Sequence, residues 1–174
     1  MADIDYLRSK LAIVHDFPIK GIVFQDFLPI LRDPKAFEIL ITHLIHHLSS
    51  TQVPDVIVGL DARGFLIGPI VALRLSVPFV AVRKKGKLPG EVDVVGYQKE
   101  YGTDYFAMQK GSVKEGDKVV VIDDLIATGG SCKAAIDLVK LNKGTVIESV
   151  FIIEISDLKG RQVLDCPVYS MIQV

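Results

Sequence analysis

Val119-Val120-Val121-Ile122-Asp123-Asp124-Leu125-Ile126-Ala127-Thr128-Gly129-Gly130 decides the fold, because it runs from an apolar strand through two carboxylates into a glycine-hydroxyl turn. Four consecutive β-branched residues read as a strand buried on both faces, expected over Lys118 to Ile122. Ser131 to Asn142 then carries the spacing of an amphipathic helix. Between them lies a strand-to-helix crevice. Amides at a helix N-terminus, approached closely beside Gly129 and Gly130 and aided by the Thr128 and Ser131 hydroxyls, suit a phosphate monoester. Asp123 and Asp124, expected at a solvent-facing strand end, can accept hydrogen bonds from a ribose 2′,3′-diol. Either half alone also reads as a solvated turn or a plain helix cap. Their succession after a buried strand favours a sugar phosphate.

Other nucleotide loops are excluded. Neither Gly59-x4-Gly64 nor Gly111-x4-Gly116 continues with Lys-Ser/Thr, and no G-x-G-x-x-G follows a strand. The 174 residues, 49% hydrophobic, suit one domain with a substantial core. Twenty basic against 21 acidic residues leave a net charge of −1, so no global field holds nucleic acid or an anionic membrane. A local cationic cluster exists at Arg83, Lys84, Lys85 and Lys87. The longest apolar run, Phe65 to Leu73, is broken by Pro69 and falls short of the ~20 residues that span a bilayer. The opening Met-Ala-Asp-Ile-Asp is acidic where a secretory signal is basic, which points to the cytoplasm. Cys132 and Cys166 lack metal-type or paired spacing and are expected to be reduced thiols without a shared role.

Along the chain, a helix is expected over Asp3 to Val14, then an irregular segment with Pro18, Gly21 and Pro29 that suits a lid. Asp33-Pro34 is a capped helix start running to about Ser49, with His43, His46 and His47 as surface or packing residues. Strands at Asp55 to Leu60 and Val77 to Val82 flank a turn at Asp61 to Gly64 and a helix at Phe65 to Ser76. A charged loop from Arg83 to Gly96 precedes a strand pair around Tyr97 and Phe106. Strands over Thr145 to Ile155 and Val168 to Ile172 close the pattern. The alternation specifies an α/β fold: a mostly parallel central sheet flanked by helices, with ligands at the carboxyl ends of its strands.

The Asp123 to Ser131 segment resembles the phosphoribosyl pyrophosphate loop of type I phosphoribosyltransferases. Gly59-Leu60-Asp61-Ala62-Arg63-Gly64-Phe65, Arg83-Lys84-Lys85-Gly86-Lys87-Leu88-Pro89-Gly90 and Glu100-Tyr101-Gly102 are similar to adenine phosphoribosyltransferase segments in particular. Phe17-Pro18, Gly21 to Asp26 and Leu158-Lys159-Gly160-Arg161 extend the likeness over nearly the whole chain. It implies a single phosphoribosyltransferase domain over 1–174, with a small N-terminal hood at about 15–32 and a flexible catalytic loop at about 83–102.

The implied reaction joins N9 of adenine to C1′ of phosphoribosyl pyrophosphate, giving AMP and pyrophosphate in purine salvage. The resemblance assigns Asp123 and Asp124 to the ribose, and Ala127, Thr128, Gly129, Gly130 and Ser131 to its 5′-phosphate. It assigns Asp61, Ala62, Arg63, Lys84 and Lys87 to pyrophosphate, with a cis peptide between Asp61 and Ala62. Val23 and Gln25 would read adenine through their backbone, Phe24 and Leu125 would sandwich it, and Glu100 would manage its proton. Many relatives carry arginine where Gln25 stands. Catalysis is thus laid on Glu100, Arg63, Asp123 and Asp124. Mg²⁺ is implied as cofactor, held mainly through substrate and water with no firm protein ligand. A homodimer is implied too, with no nucleic-acid or membrane partner. The rival readings are an enzyme for hypoxanthine-guanine or orotate, and a non-catalytic regulator sensing phosphoribosyl pyrophosphate or a nucleotide. A regulator of that kind usually adds a DNA-binding module, for which this chain has neither length nor basic surface.

Overall fold

The structure, a computed structural model, describes residues 2–99 and 102–174. It divides into two compact units, Met1–His47 and Leu48–Val174.

In the first unit, helix α1 (Ala2–Lys10) is followed by the antiparallel pair β1 (Ala12–His15) and β2 (Val23–Asp26), the short helix α2 (Leu28–Leu31), and the start of α3 (Pro34–Thr51). The helix expected over Asp3 to Val14 therefore ends at Lys10. Ile13 and Val14 instead pair with Gln25 and Phe24, a cross-strand contact that four-residue strands are too short to announce by alternation. The segment after them is likewise more regular than its Pro and Gly content suggests. Asp33 caps α3 as expected, its Oδ1 accepting from the amides of Lys35 and Ala36 at 3.0 and 3.2 Å. Its other oxygen accepts from the Tyr6 hydroxyl at 2.8 Å and pairs with Lys10 at 2.7 Å. The Lys10 ammonium, then Tyr6, hold this carboxyl well below the usual range.

The second unit is built on β3 (Val56–Leu60), α4 (Gly64–Leu75), β4 (Phe79–Lys84), β5 (Val92–Lys99), β6 (Gly102–Gln109), β7 (Lys118–Ile126), α5 (Gly130–Leu141), β8 (Thr145–Glu154) and β9 (Val168–Gln173). The seven strands form one sheet in the order β5-β6-β4-β3-β7-β8-β9. Five neighbours, β4-β3-β7-β8-β9, run parallel, and the β5-β6 hairpin adds antiparallel at the β4 edge. Alternation along β7 sorts the core between two faces. Val119 and Val121 join the cluster that contains Ala134, Ala135 and Leu138 of α5. Ile122, of opposite parity, packs against α4, its Cγ2 3.0 Å from where a Cβ on Gly68 would stand.

Two further expectations are corrected in this unit. Strand β7 does not stop at Ile122 but runs on to Ile126, Asp123 pairing with Phe151 and Leu125 with Ile153 of β8. The carboxylates thus sit inside the sheet, where Asp124 is buried, and not at a solvent-facing end. The stretch from Arg83 to Gly96 is also not one long loop. Arg83 and Lys84 end β4, and Val92 to Gly96 begin β5, in register with Gln109 to Tyr105. Its charges hide an alternation that only the partner strand β6 completes. No helix among the described residues is long and apolar enough to cross a membrane.

Candidate active site

Strand β3 connects through α4 to β4 on one side, and the chain later returns to lay β7 on its other side. Neighbouring strands whose connections leave in opposite directions open a crevice at their carboxyl ends. Two strand-to-helix turns meet there, Asp61 to Gly64 and Ala127 to Ser131, around a cavity of about 300 Å³.

The turn after β7 works through its backbone. Gly129 precedes α5 at φ 84°, in the left-handed region that favours glycine, and no side chain among the described residues caps the helix. The first intrahelical bond is donated by Lys133 to the Gly129 carbonyl at 2.9 Å, so the amides of Gly130, Ser131 and Cys132 precede the helical ladder. Ala127, Thr128, Gly129, Gly130 and Ser131 all line the cavity.

The turn after β3 works through side chains. The Asp61–Ala62 peptide is cis, as the resemblance implied. Asp61, held by the Val82 carbonyl through its amide, accepts from Arg83 Nε at 2.9 Å. Arg63 turns its guanidinium onto the buried acid of the neighbouring strand, Nε standing 2.9 Å from Asp124 Oδ2. The approach is not aligned as a hydrogen bond, and Asp124 Oδ2 is a buried acceptor with no donor among the described residues. Gly64 brings the turns together: a Cβ there would lie 2.7 Å from the Ile122 carbonyl oxygen and 3.3 Å from Asp123 Oδ1.

Asp123 Oδ1 accepts from the Asp124 amide at 2.9 Å. Burial, then the adjacent Asp124 charge, push the Asp123 carboxyl well above the usual carboxylate range. Burial raises Asp124 too, with the Arg63 guanidinium opposing it. The two acids titrate as a pair that resists carrying two charges at once. A ligand that donates two hydroxyls, or brings its own cation, relieves that burden.

Of the other expected residues, Lys84 and Leu125 line the cavity, as do Tyr97 and Phe106, whose rings lie 4.8 Å apart at a tilt of 31°. Lys84 is 3.6 Å from Asp104, while Lys87 is exposed and does not line the cavity. Val23, Phe24 and Gln25 form most of β2 in the first unit, with Phe24 edge-on to Phe17 at 5.1 Å. Glu100 lies outside the described residues. The sequence left Arg83 without a role, yet it bonds both Asp61 and, at 3.1 Å, the Lys87 carbonyl. Tyr97 and Phe106 were also missed, since an aromatic pair across a hairpin has no signature apart from its register. The thiols do share a partner: Cys132 donates to Ser149 Oγ at 3.3 Å, and Cys166 lies 3.2 Å from the same oxygen.

The family model for the phosphoribosyl transferase domain matches residues 30–173. An adenine phosphoribosyltransferase of Yarrowia lipolytica is 52% identical over 169 residues, 95% of this chain and 93% of the relative. The chain belongs to the adenine phosphoribosyltransferase family. It is accordingly an enzyme of the phosphoribosyl transferase class. The Saccharomyces cerevisiae adenine phosphoribosyltransferase, solved with an imino-altritol bisphosphate and adenine, superposes with a TM-score of 0.96 at 45% identity, covering 98% of this chain and 99% of that one. A Trypanosoma brucei relative, solved with AMP, pyrophosphate and ribose-5-phosphate, gives 0.91 at 27% identity, covering 98% and 79%.

Proposed function

We propose that this enzyme transfers the 5-phosphoribosyl group from phosphoribosyl pyrophosphate to N9 of adenine, giving AMP and pyrophosphate in purine salvage. The observation that carries the reading is the buried acid pair between the two strand-to-helix turns, with Asp124 Oδ2 lacking a hydrogen-bond donor among the described residues. A ribose diol supplies hydroxyls to Asp123 and Asp124 while its 5′-phosphate takes the amides from Ala127 to Ser131. The pyrophosphate end meets Asp61, Ala62, Arg63 and Lys84, with Lys87 brought in from its exposed position. The C1′–O bond breaks with its electron pair leaving on pyrophosphate, and N9 of adenine forms the new bond as the base gives up a proton.

Charge at C1′ is then oxocarbenium-like, and the two carboxylates below the ribose oppose it. Arg63, drawn from Asp124 toward pyrophosphate as the diol takes its place, offsets negative charge on the leaving group. Val23, Phe24, Gln25 and Leu125 are assigned to adenine, and Glu100 to its proton. Mg²⁺ would be held mainly by substrate and water, Asp123 and Asp124 reaching it through water or the ribose, and would add positive charge against the leaving pyrophosphate. The reading places the enzyme in the cytoplasm as a homodimer. The exposed stripe Leu66, Pro69 and Leu73 on α4 supports such pairing, Leu73 being 76% exposed.

The test is a panel of adenine, hypoxanthine, guanine and orotate assayed with phosphoribosyl pyrophosphate and Mg²⁺. Adenine is expected to give AMP at least about tenfold faster than any other base, a difference of about 1.4 kcal/mol. Faster turnover of another base would move the substrate assignment, and binding without product would make the chain a sensor.

A further inference from the structure

The phosphate turn rests on a second glycine far away in sequence. A Cβ on Gly160 would lie 2.2 Å from the Ala127 carbonyl oxygen and 2.9 Å from the Gly129 amide nitrogen. A Cβ on Gly129 would in turn stand 2.4 Å from the Gly160 carbonyl oxygen and 2.6 Å from Val163 Cγ2. The contact is reciprocal and backbone to backbone, and neither position has room for a methyl group. Gly129 also needs glycine for its positive φ, whereas for Gly160 packing alone is the reason.

Gly160 opens a single 3-10 turn, Gly160–Val163, that is anchored from beneath. Arg161 Nε donates to Glu154 Oε1 at 2.7 Å and its Nη2 donates to Oε2, while Ser170 Oγ donates to the same carboxylate. Glu154 is the last residue of β8, 4% exposed, and pairs in register with Ile126, the last residue of β7. The Ile155 amide donates to the Ile126 carbonyl at 3.0 Å. The two-pronged guanidinium contact fixes direction as well as distance. The strand that delivers the phosphate turn and the strand that anchors its support are thus locked side by side, immediately before both turns begin.

We propose that Gly160, held in place by the Arg161–Glu154 pair, is a positioning residue for phosphate recognition: it sets the height and tilt of the Ala127–Gly129 backbone so that the amides at the start of α5 converge on the 5′-phosphate. The proposal rests on the assignment of that turn to the 5′-phosphate. Groups that bind an anion through several amides at once lose affinity steeply when displaced by an ångström.

Calorimetric titration of Gly160→Ala with AMP, and separately with Mg²⁺-pyrophosphate, decides the matter. Affinity for AMP is expected to fall at least tenfold and KM for phosphoribosyl pyrophosphate to rise in step. Pyrophosphate affinity, KM for adenine and kcat should stay within about twofold, because the Asp61 to Gly64 turn is untouched. AMP affinity equal to wild type in a folded Gly160→Ala protein would overturn the proposal, as would equal losses for AMP and pyrophosphate, which mark general loosening. If Gly160→Ala does not fold, Arg161→Lys keeps the charge but loses the two-pronged contact, and the same AMP-selective loss, about threefold or more, is required of it. Wild-type protein that bound no AMP would refute the functional reading instead, a result visible before any variant is made.

Discussion

The two turns at the mouth of the β3-β7 crevice, proposed above to bind anions, are built by opposite means. After β7, Ala127 to Ser131 present amides, and the geometry is set by Gly129 at φ 84° lying against Gly160. After β3, the turn presents charge: Arg63 on Asp124, and Arg83 on Asp61. Amides are fixed dipoles that cannot leave, so they suit a group that stays bound through the reaction. A guanidinium on a flexible stem can change partners, which suits a group that departs. Under the proposed function, that division assigns the 5′-phosphate to the backbone turn and pyrophosphate to the side-chain cations.

The sharpest break in that contrast would come from Arg63→Met. Loss of the guanidinium should lower kcat/KM for phosphoribosyl pyrophosphate by about 10²–10³-fold, the usual cost of removing one charge-stabilising donor. AMP affinity should change far less. Steady-state kinetics beside AMP titration separates the two, and equal losses would mean that both turns share one anion.

Gly64→Ala probes where the turns touch. With a methyl group driven to 2.7 Å from the Ile122 carbonyl, backbone must shift, at a cost of about 1–3 kcal/mol. For a chain of this size each 1 kcal/mol is about 2–4 °C in Tm. Calorimetry should show that drop together with weaker binding of both AMP and pyrophosphate. Loss of one ligand alone would show that the turns are mechanically independent.

Asp123→Asn should trade activity for stability. Because its carboxyl titrates above the ordinary value of 3.8, the folded state holds the proton more tightly than the unfolded chain. Stability from that group is fully present at low pH and is lost as pH rises from the ordinary value through the raised one. Asparagine carries no such loss. The variant's Tm relative to wild type should therefore be higher at pH 7 than at pH 4.5. Its turnover should fall. A Tm difference that does not vary with pH would contradict the buried diacid.

Thr128→Ala should have the smallest effect. Its side chain is exposed, and the amides that define the turn remain, so only a net hydroxyl contact of about 0.5–1.5 kcal/mol is at stake. AMP affinity should fall about two- to tenfold. A larger loss would shift the recognition of phosphate from backbone to side chain.

Much of this was legible in the chain itself. The run Val119 to Ile122 specified a parallel strand buried on both faces, Asp33-Pro34 a capped helix, and Thr128-Gly129-Gly130-Ser131 a glycine turn that opens a helix, because each rests on preferences that act within a few residues. The same locality explains the misses. Where β7 ends depends on β8 pairing through Ile126, and Val92 to Gly96 become a strand only against β6. Tertiary structure alone buried Asp124 and turned Arg63 onto it, and brought Cys132 and Cys166 to one hydroxyl. It also placed Gly160 under Gly129, 31 residues away by number, since contact between distant backbone segments leaves no local pattern beyond the glycines that permit it.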